Sequence, residues 1–155
     1  MLKKWLSCVC RRIVGATSHS FEFAYDQIEV LGDVFSPILP VALFFPDKGW
    51  MNFEFLLDTG ATATILPSSM ATELGIDLAG LKKMSMAGVE GSGIDSWLGE
   101  LKVRIGDRDL TVDCFFVDNP QAPFLLGRAG VLNDYFSLLI DSRKKKLLLK
   151  ENYCF

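Results

Sequence analysis

Stretches rich in β-branched and aromatic residues recur along this chain between turn signals, at residues 21–30, 38–45, 53–58, 64–66, 102–105, 110–117, 136–140 and 146–150. Such residues suit a pleated, half-buried surface, so the pattern commits most of the chain to strands. The punctuation is hairpin chemistry: Pro46-Asp47-Lys48-Gly49, Gly106-Asp107-Arg108-Asp109 and the stretch from Ser142 to Lys145 each separate two apolar runs. The strands they join are therefore expected to be antiparallel. Only two short helices fit. One is capped by Ser68 or Ser69 and runs through Met70, Ala71 and Leu74 to Gly75; the other follows Gly127 through Ala129, Val131 and Leu132. The expected fold is mostly β with one or two short helices.

A chain of 155 residues can bury one good core but hardly two, and half of its residues are apolar, with 23% charged and a mean hydropathy of +0.27. Residues 1–20 mix basic and small residues without periodicity and read as a leader or flexible arm; residues 21–155 read as a single domain. A net charge of −3 leaves no footprint for a phosphate backbone, and Lys144, Lys145 and Lys146 are only a local basic run, so no nucleic-acid partner is expected. The apolar piece from Trp5 to Cys10 is far too short for a signal peptide or a span, which predicts no stable membrane insertion and a cytoplasmic location. Acylation of Cys8 and Cys10 would supply at most a weak anchor.

Cys8, Cys10, Cys114 and Cys154 form no CxxC pair and have no nearby histidine, so neither a metal nor another cofactor is expected. The sole histidine, His19, lies in a Ser-rich stretch expected to be mobile. Serine and cysteine hydrolases built on a histidine are set aside on that ground.

The stretch Phe55-Leu56-Leu57-Asp58-Thr59-Gly60-Ala61-Thr62 carries the chemistry. An apolar strand ends abruptly in an acid, and a carboxylate at such a place must be hydrogen-bonded, paired or protonated. Alone, Asp-Thr-Gly is ordinary turn chemistry. Its context is more specific. A short strand, Pro67 and a capped helix follow it, and far downstream Phe124-Leu125-Leu126-Gly127-Arg128 forms a second apolar run ending in glycine.

In this order and spacing the sequence resembles the retropepsin-like, or retroviral-type, aspartic proteases, as a single-domain cellular member. Asp58-Thr59-Gly60-Ala61 fits their catalytic motif and Leu125-Leu126-Gly127 their second motif. Met86-Ala87-Gly88-Val89-Glu90-Gly91-Ser92-Gly93 fits the glycine-rich flap tip, placed between Leu81 and Leu101. The resemblance covers roughly residues 38–150 and implies a half-barrel subunit that dimerises. It implies catalysis by Asp58, with Thr59 hydrogen-bonding across the dimer axis and Gly60 letting backbone approach substrate. Ala61, Thr62, Gly88, Val89, Glu90 and Gly91 would contact a peptide or protein substrate. Ala61, Ile65 and Leu66 are candidates both for side-chain pockets and for the core. In many viral members an acid stands two positions after the motif glycine and pairs with the arginine of the second motif; here Thr62 stands there, which leaves Arg128 without an assigned partner.

Two carboxylates sharing one proton can hydrolyse an amide: the ionised one takes a proton from water while the protonated one polarises the carbonyl. The chain has a single Asp-Thr-Gly, so the second carboxylate has to come from Asp58 of a second copy. The reading is an aspartic endopeptidase acting as a homodimer. Its competitors are a non-catalytic peptide-binding or dimerisation module of the same fold, and a structural all-β subunit in which Asp58 is a turn acid.

Overall fold

The computed structural model describes residues 17–87 and 93–152. Twelve strands follow in order: β1 (Ser18–Glu22), β2 (Ala24–Ile28), β3 (Gly32–Ser36), β4 (Ile38–Phe45), β5 (Gly49–Leu57), β6 (Thr64–Pro67), β7 (Lys82–Ala87), β8 (Gly93–Ile105), β9 (Arg108–Val117), β10 (Leu125–Leu126), β11 (Phe136–Asp141) and β12 (Lys146–Glu151). One short helix, α1 (Ser69–Glu73), lies between β6 and β7.

Seven strands form one sheet in the order β4-β5-β10-β6-β9-β8-β7. A short pairing of β4 with β8, Ala42 opposite Arg104 and Leu43 opposite Val103, closes six of them on themselves and leaves β7 outside. The inside of this small barrel is the core. Along β4 the residues Leu39, Val41, Leu43 and Phe45 alternate inward, as a strand with one buried face requires. They meet Phe55, Leu66, Val103, Ile105, Phe116 and Leu126, all buried. A second sheet, β1-β12-β11, closes one side with Phe136, Leu147 and Leu149.

The expected hairpins are present. Gly49 and Gly106 take positive φ of 73° and 63° at the β4–β5 and β8–β9 turns, which is the backbone geometry glycine supplies without strain. Helix α1 ends at Gly75, whose φ is 73°, although Ser68 makes no side-chain cap. The stretch after Gly127 is not a regular helix. Arg128–Leu132 is a kinked turn, because Ala129 is extended and Gly130 has a φ of 70°.

Ser18, His19 and Ser20, read from the sequence as part of the leader, lie in β1, which pairs antiparallel with β12, His19 opposite Leu149. His19 is thus fixed rather than mobile: its side chain is 10% exposed and packs edge-on against Phe136. The Ser-His-Ser-Phe-Glu run alternates outward and inward, a strand pattern hidden by its serines. Among the described residues no helix is long and apolar enough to cross a membrane.

Candidate active site

Asp58 follows the last residue of β5, and the backbone there is held from both sides. On one side Leu57 N–H donates to Pro37 O at 2.8 Å. On the other, Leu56 N–H donates to Phe124 O at 2.8 Å and Asp58 N–H to Leu126 O at 3.0 Å. Those bonds extend the parallel pairing of β10 with β5, in which Leu125 and Leu126 lie opposite Leu56 and Leu57. Two-residue β10 also pairs with β6 through Leu125 and Ile65, so the second apolar motif is wedged between the strands that enter and leave the acid loop.

Within the loop, one carboxylate oxygen of Asp58 accepts the Gly60 N–H at 2.7 Å, and Ala61 N–H donates to Asp58 O at 3.2 Å. A Cβ at position 60 would stand 3.1 Å from that same carboxylate oxygen, so glycine lets the acid lie close over its own turn. Asp58 and Ala61 are half-buried, while Thr59, Gly60 and Thr62 are exposed.

The second motif is tied to the first by backbone. Arg128 N–H donates to Ala61 O at 3.1 Å and Ala129 N–H to Thr62 O at 2.8 Å. The Arg128 side chain adds a long Nε contact of 3.4 Å to the same Ala61 carbonyl. Arg128 therefore leans on the acid loop's backbone, a partner the sequence could not supply. Gly127 has no room for a side chain: a Cβ there would lie 2.3 Å from Ala63 O. Pro37 and Ala63 support the site through backbone carbonyls that no side-chain pattern announced, whereas Phe124, already visible in the second apolar run, adds its ring against Phe55 to its carbonyl.

Strands β7 and β8 form the hairpin expected for a flap, paired from Lys82 opposite Leu98 to Ala87 opposite Gly93. The Lys83–Asp95 ion pair at 2.6 Å and the Ser96 hydroxyl donating to Met84 O at 3.1 Å hold it. Its expected tip residues Gly88, Val89, Glu90 and Gly91 lie outside the described residues. Of the pocket candidates, Leu66 is fully buried in the core and Ile65 half-buried. A cleft of about 480 Å³ walled by Phe44, Trp50, Tyr135 and Lys102 sits at the opposite end of β5 from Asp58. Seven residue steps along the strand from Trp50 to Leu57 put it roughly 23 Å from the acid loop.

The family described as "gag-polyprotein putative aspartyl protease" matches residues 49–130, more than half of the chain. The chain belongs to this family of retropepsin-like aspartic proteases. The match runs from the start of β5 to the turn after β10, so it takes in the Asp58 loop, the flap-like hairpin and the second motif of the protease family. No curated protein matches the chain. Among solved structures, a retropepsin-like aspartic protease from Rickettsia conorii superposes with a TM-score of 0.56 at 21% identity, covering 89% of this chain and 96% of the other. The retroviral protease-like domain of Ddi1 from Leishmania major gives 0.53 at 13% identity, covering 79% and 96%. At these identities the likeness is one of fold, and the retropepsin-like fold is shared.

Proposed function

We propose that the chain is an aspartic endopeptidase that works as a homodimer, with Asp58 of each copy supplying one of two carboxylates. The observation that carries this reading is the Asp58 loop itself. Its backbone is pinned by β10 and Pro37, yet Thr59 and Gly60 stand exposed at the same place. An acid fixed so firmly beside exposed small residues is arranged to meet another surface, and with one Asp-Thr-Gly per chain the matching surface is a second copy of the loop.

In that dimer the two carboxylates share a proton. The ionised one removes a proton from the attacking water and the protonated one hydrogen-bonds the scissile carbonyl oxygen, so charge is redistributed without a metal or a covalent intermediate. Thr59 would join the two loops across the axis. A peptide would lie extended between the loops and the β7–β8 hairpin, contacting Ala61, Thr62 and the tip residues Gly88 to Gly91, with main-chain hydrogen bonds providing affinity.

Asp58→Asn tests the reading. The amide keeps the shape but cannot act as a base, so peptide hydrolysis should fall at least about a hundredfold while circular dichroism and oligomeric state stay those of the wild type. Equal hydrolysis by a well-purified variant would remove Asp58 from catalysis. A wild type that binds peptides and dimerises without cleaving anything would leave the non-catalytic module instead.

A further inference from the structure

We propose that His19, Asp107 and Glu151 form a binding site for a divalent transition-metal ion of the zinc type, which clips the first described strand to the barrel. The three residues come from β1, the β8–β9 turn and the last position of β12, and none belongs to the acid loop. His19 Nε2 lies 3.2 Å from a Glu151 carboxylate oxygen and 3.5 Å from an Asp107 oxygen. The three potential ligand atoms all fall within 4.8 Å of one another.

The two His19 separations are those of ligands around one ion. Zinc bound by imidazole nitrogen and carboxylate oxygens at about 2.1 Å holds tetrahedral neighbours roughly 3.4 Å apart. Hydrogen bonding answers less of the geometry. Nε2 carries at most one proton, directed in the ring plane, yet two carboxylate oxygens face it. A cation between them satisfies all three at once. One nitrogen and two oxygens also make a ligand set that imidazole tilts toward zinc-like ions rather than magnesium or calcium.

The surroundings hold the ligands in place. Glu151 is 7% exposed, and its second oxygen accepts from Arg108 Nη1 at 3.2 Å, leaving the first for the ion. Such an outer partner orients a ligating carboxylate and keeps the local charge from becoming strongly negative. The His19 ring is set by its edge contact with Phe136, at 5.9 Å between centroids. It is also set by Gly106, where a Cβ would stand 2.0 Å from Nδ1. Asp107, with a side chain 79% exposed, leaves approach from solvent open. The 88 residues between His19 and Asp107 (107 − 19) keep the group from forming any local ligand motif in the sequence.

The test is zinc titration of the chelator-treated full chain, read by calorimetry and thermal melting, with cobalt as a spectroscopic substitute. One ion should bind per chain, and zinc at a hundredfold excess over its Kd should raise the melting temperature by about 5–10 °C. The cobalt form should lack sulfur-to-metal charge-transfer bands, which separates this site from Cys8, Cys10 and Cys154. Asp107→Ala, a change at an exposed turn, should fold and lose most of the zinc-dependent rise, as should His19→Gln. No rise in the wild type, an undiminished rise in Asp107→Ala, or a thiolate spectrum would each overturn the proposal; in the first case the group is an ion-paired histidine only.

Discussion

Thr64 is the first residue of β6, fully buried between β10 and β9, and its hydroxyl has no hydrogen-bond partner among the described residues. A buried hydroxyl left unpaired costs free energy that an apolar group of the same shape does not. Thr64→Val is therefore expected to stabilise the chain by up to about 1 kcal/mol, seen as a higher urea midpoint at unchanged m. A loss of that size would mean that the hydroxyl finds its partner when two chains meet. At this scale the sequence was informative where a side chain broke a pattern. Asp58 stood out because it ends the run Phe55-Leu56-Leu57. Gly127 was legible only as the end of an apolar run, since its reason is the carbonyl of Ala63. Pro37 holds the acid loop through a carbonyl oxygen that every residue possesses, so no residue type could mark it, whereas Phe124 and Leu126 were legible as members of the second apolar run. His19 was misjudged for a different reason: its pairing with β12 is specified by residues more than a hundred positions away.

Strands with strong intrinsic preference were legible as elements: β4, β5, β9 and β11 lie where their β-branched and aromatic residues put them, and β12 where its run of three leucines does. The segment Lys82–Ala87 has no β-branched residue, so its residue types gave no strand signal and only the resemblance placed a flap there. It becomes β7 because β8 is long enough to offer it an edge, with six register pairs from Lys82 to Ala87. β10 is two residues long and exists only as a filler between β5 and β6. The run expected as one strand over residues 21–30 breaks at Phe23, whose ring packs 3.9 Å from that of Phe35 in β3. The β11–β12 turn offers a direct test of local strain. Lys145 has a φ of 52°, the left-handed region in which a Cβ is crowded, whereas Asp141 satisfies the amides of Arg143 and Lys144 at 3.1 and 3.0 Å. Replacing that lysine with glycine, Lys145→Gly, should raise unfolding free energy by a few tenths to about 1 kcal/mol, less whatever the contact of Lys145 with the Tyr25 ring contributes. A drop beyond about 1 kcal/mol would show that the lysine side chain matters more than its backbone.

For the molecule as a whole, the proposed homodimer, with a half-site per chain, would tie chemistry to association. Specific activity should fall on dilution through the dimer dissociation constant and recover on concentration. Activity that stays flat where sedimentation shows only monomer would contradict the shared site. Because only the singly protonated pair contains both a base and an acid, the rate should rise and fall with pH as a bell centred on the acid side of neutrality. A profile climbing steadily into alkali would point to a different nucleophile. Burial pushes the Cys114 thiol well above the ordinary cysteine range, which keeps that group out of any such profile. The wedge of β10 between β5 and β6 also has a bearing on how the chain is made. Leu126, whose carbonyl receives the Asp58 amide, is synthesised 68 residues after that acid (126 − 58), roughly 3–14 s later on a ribosome adding about 5–20 residues per second. Throughout that interval the nascent chain carries the acid without its support, so the Asp58 loop cannot take up its tethered geometry until Leu126 has left the ribosome.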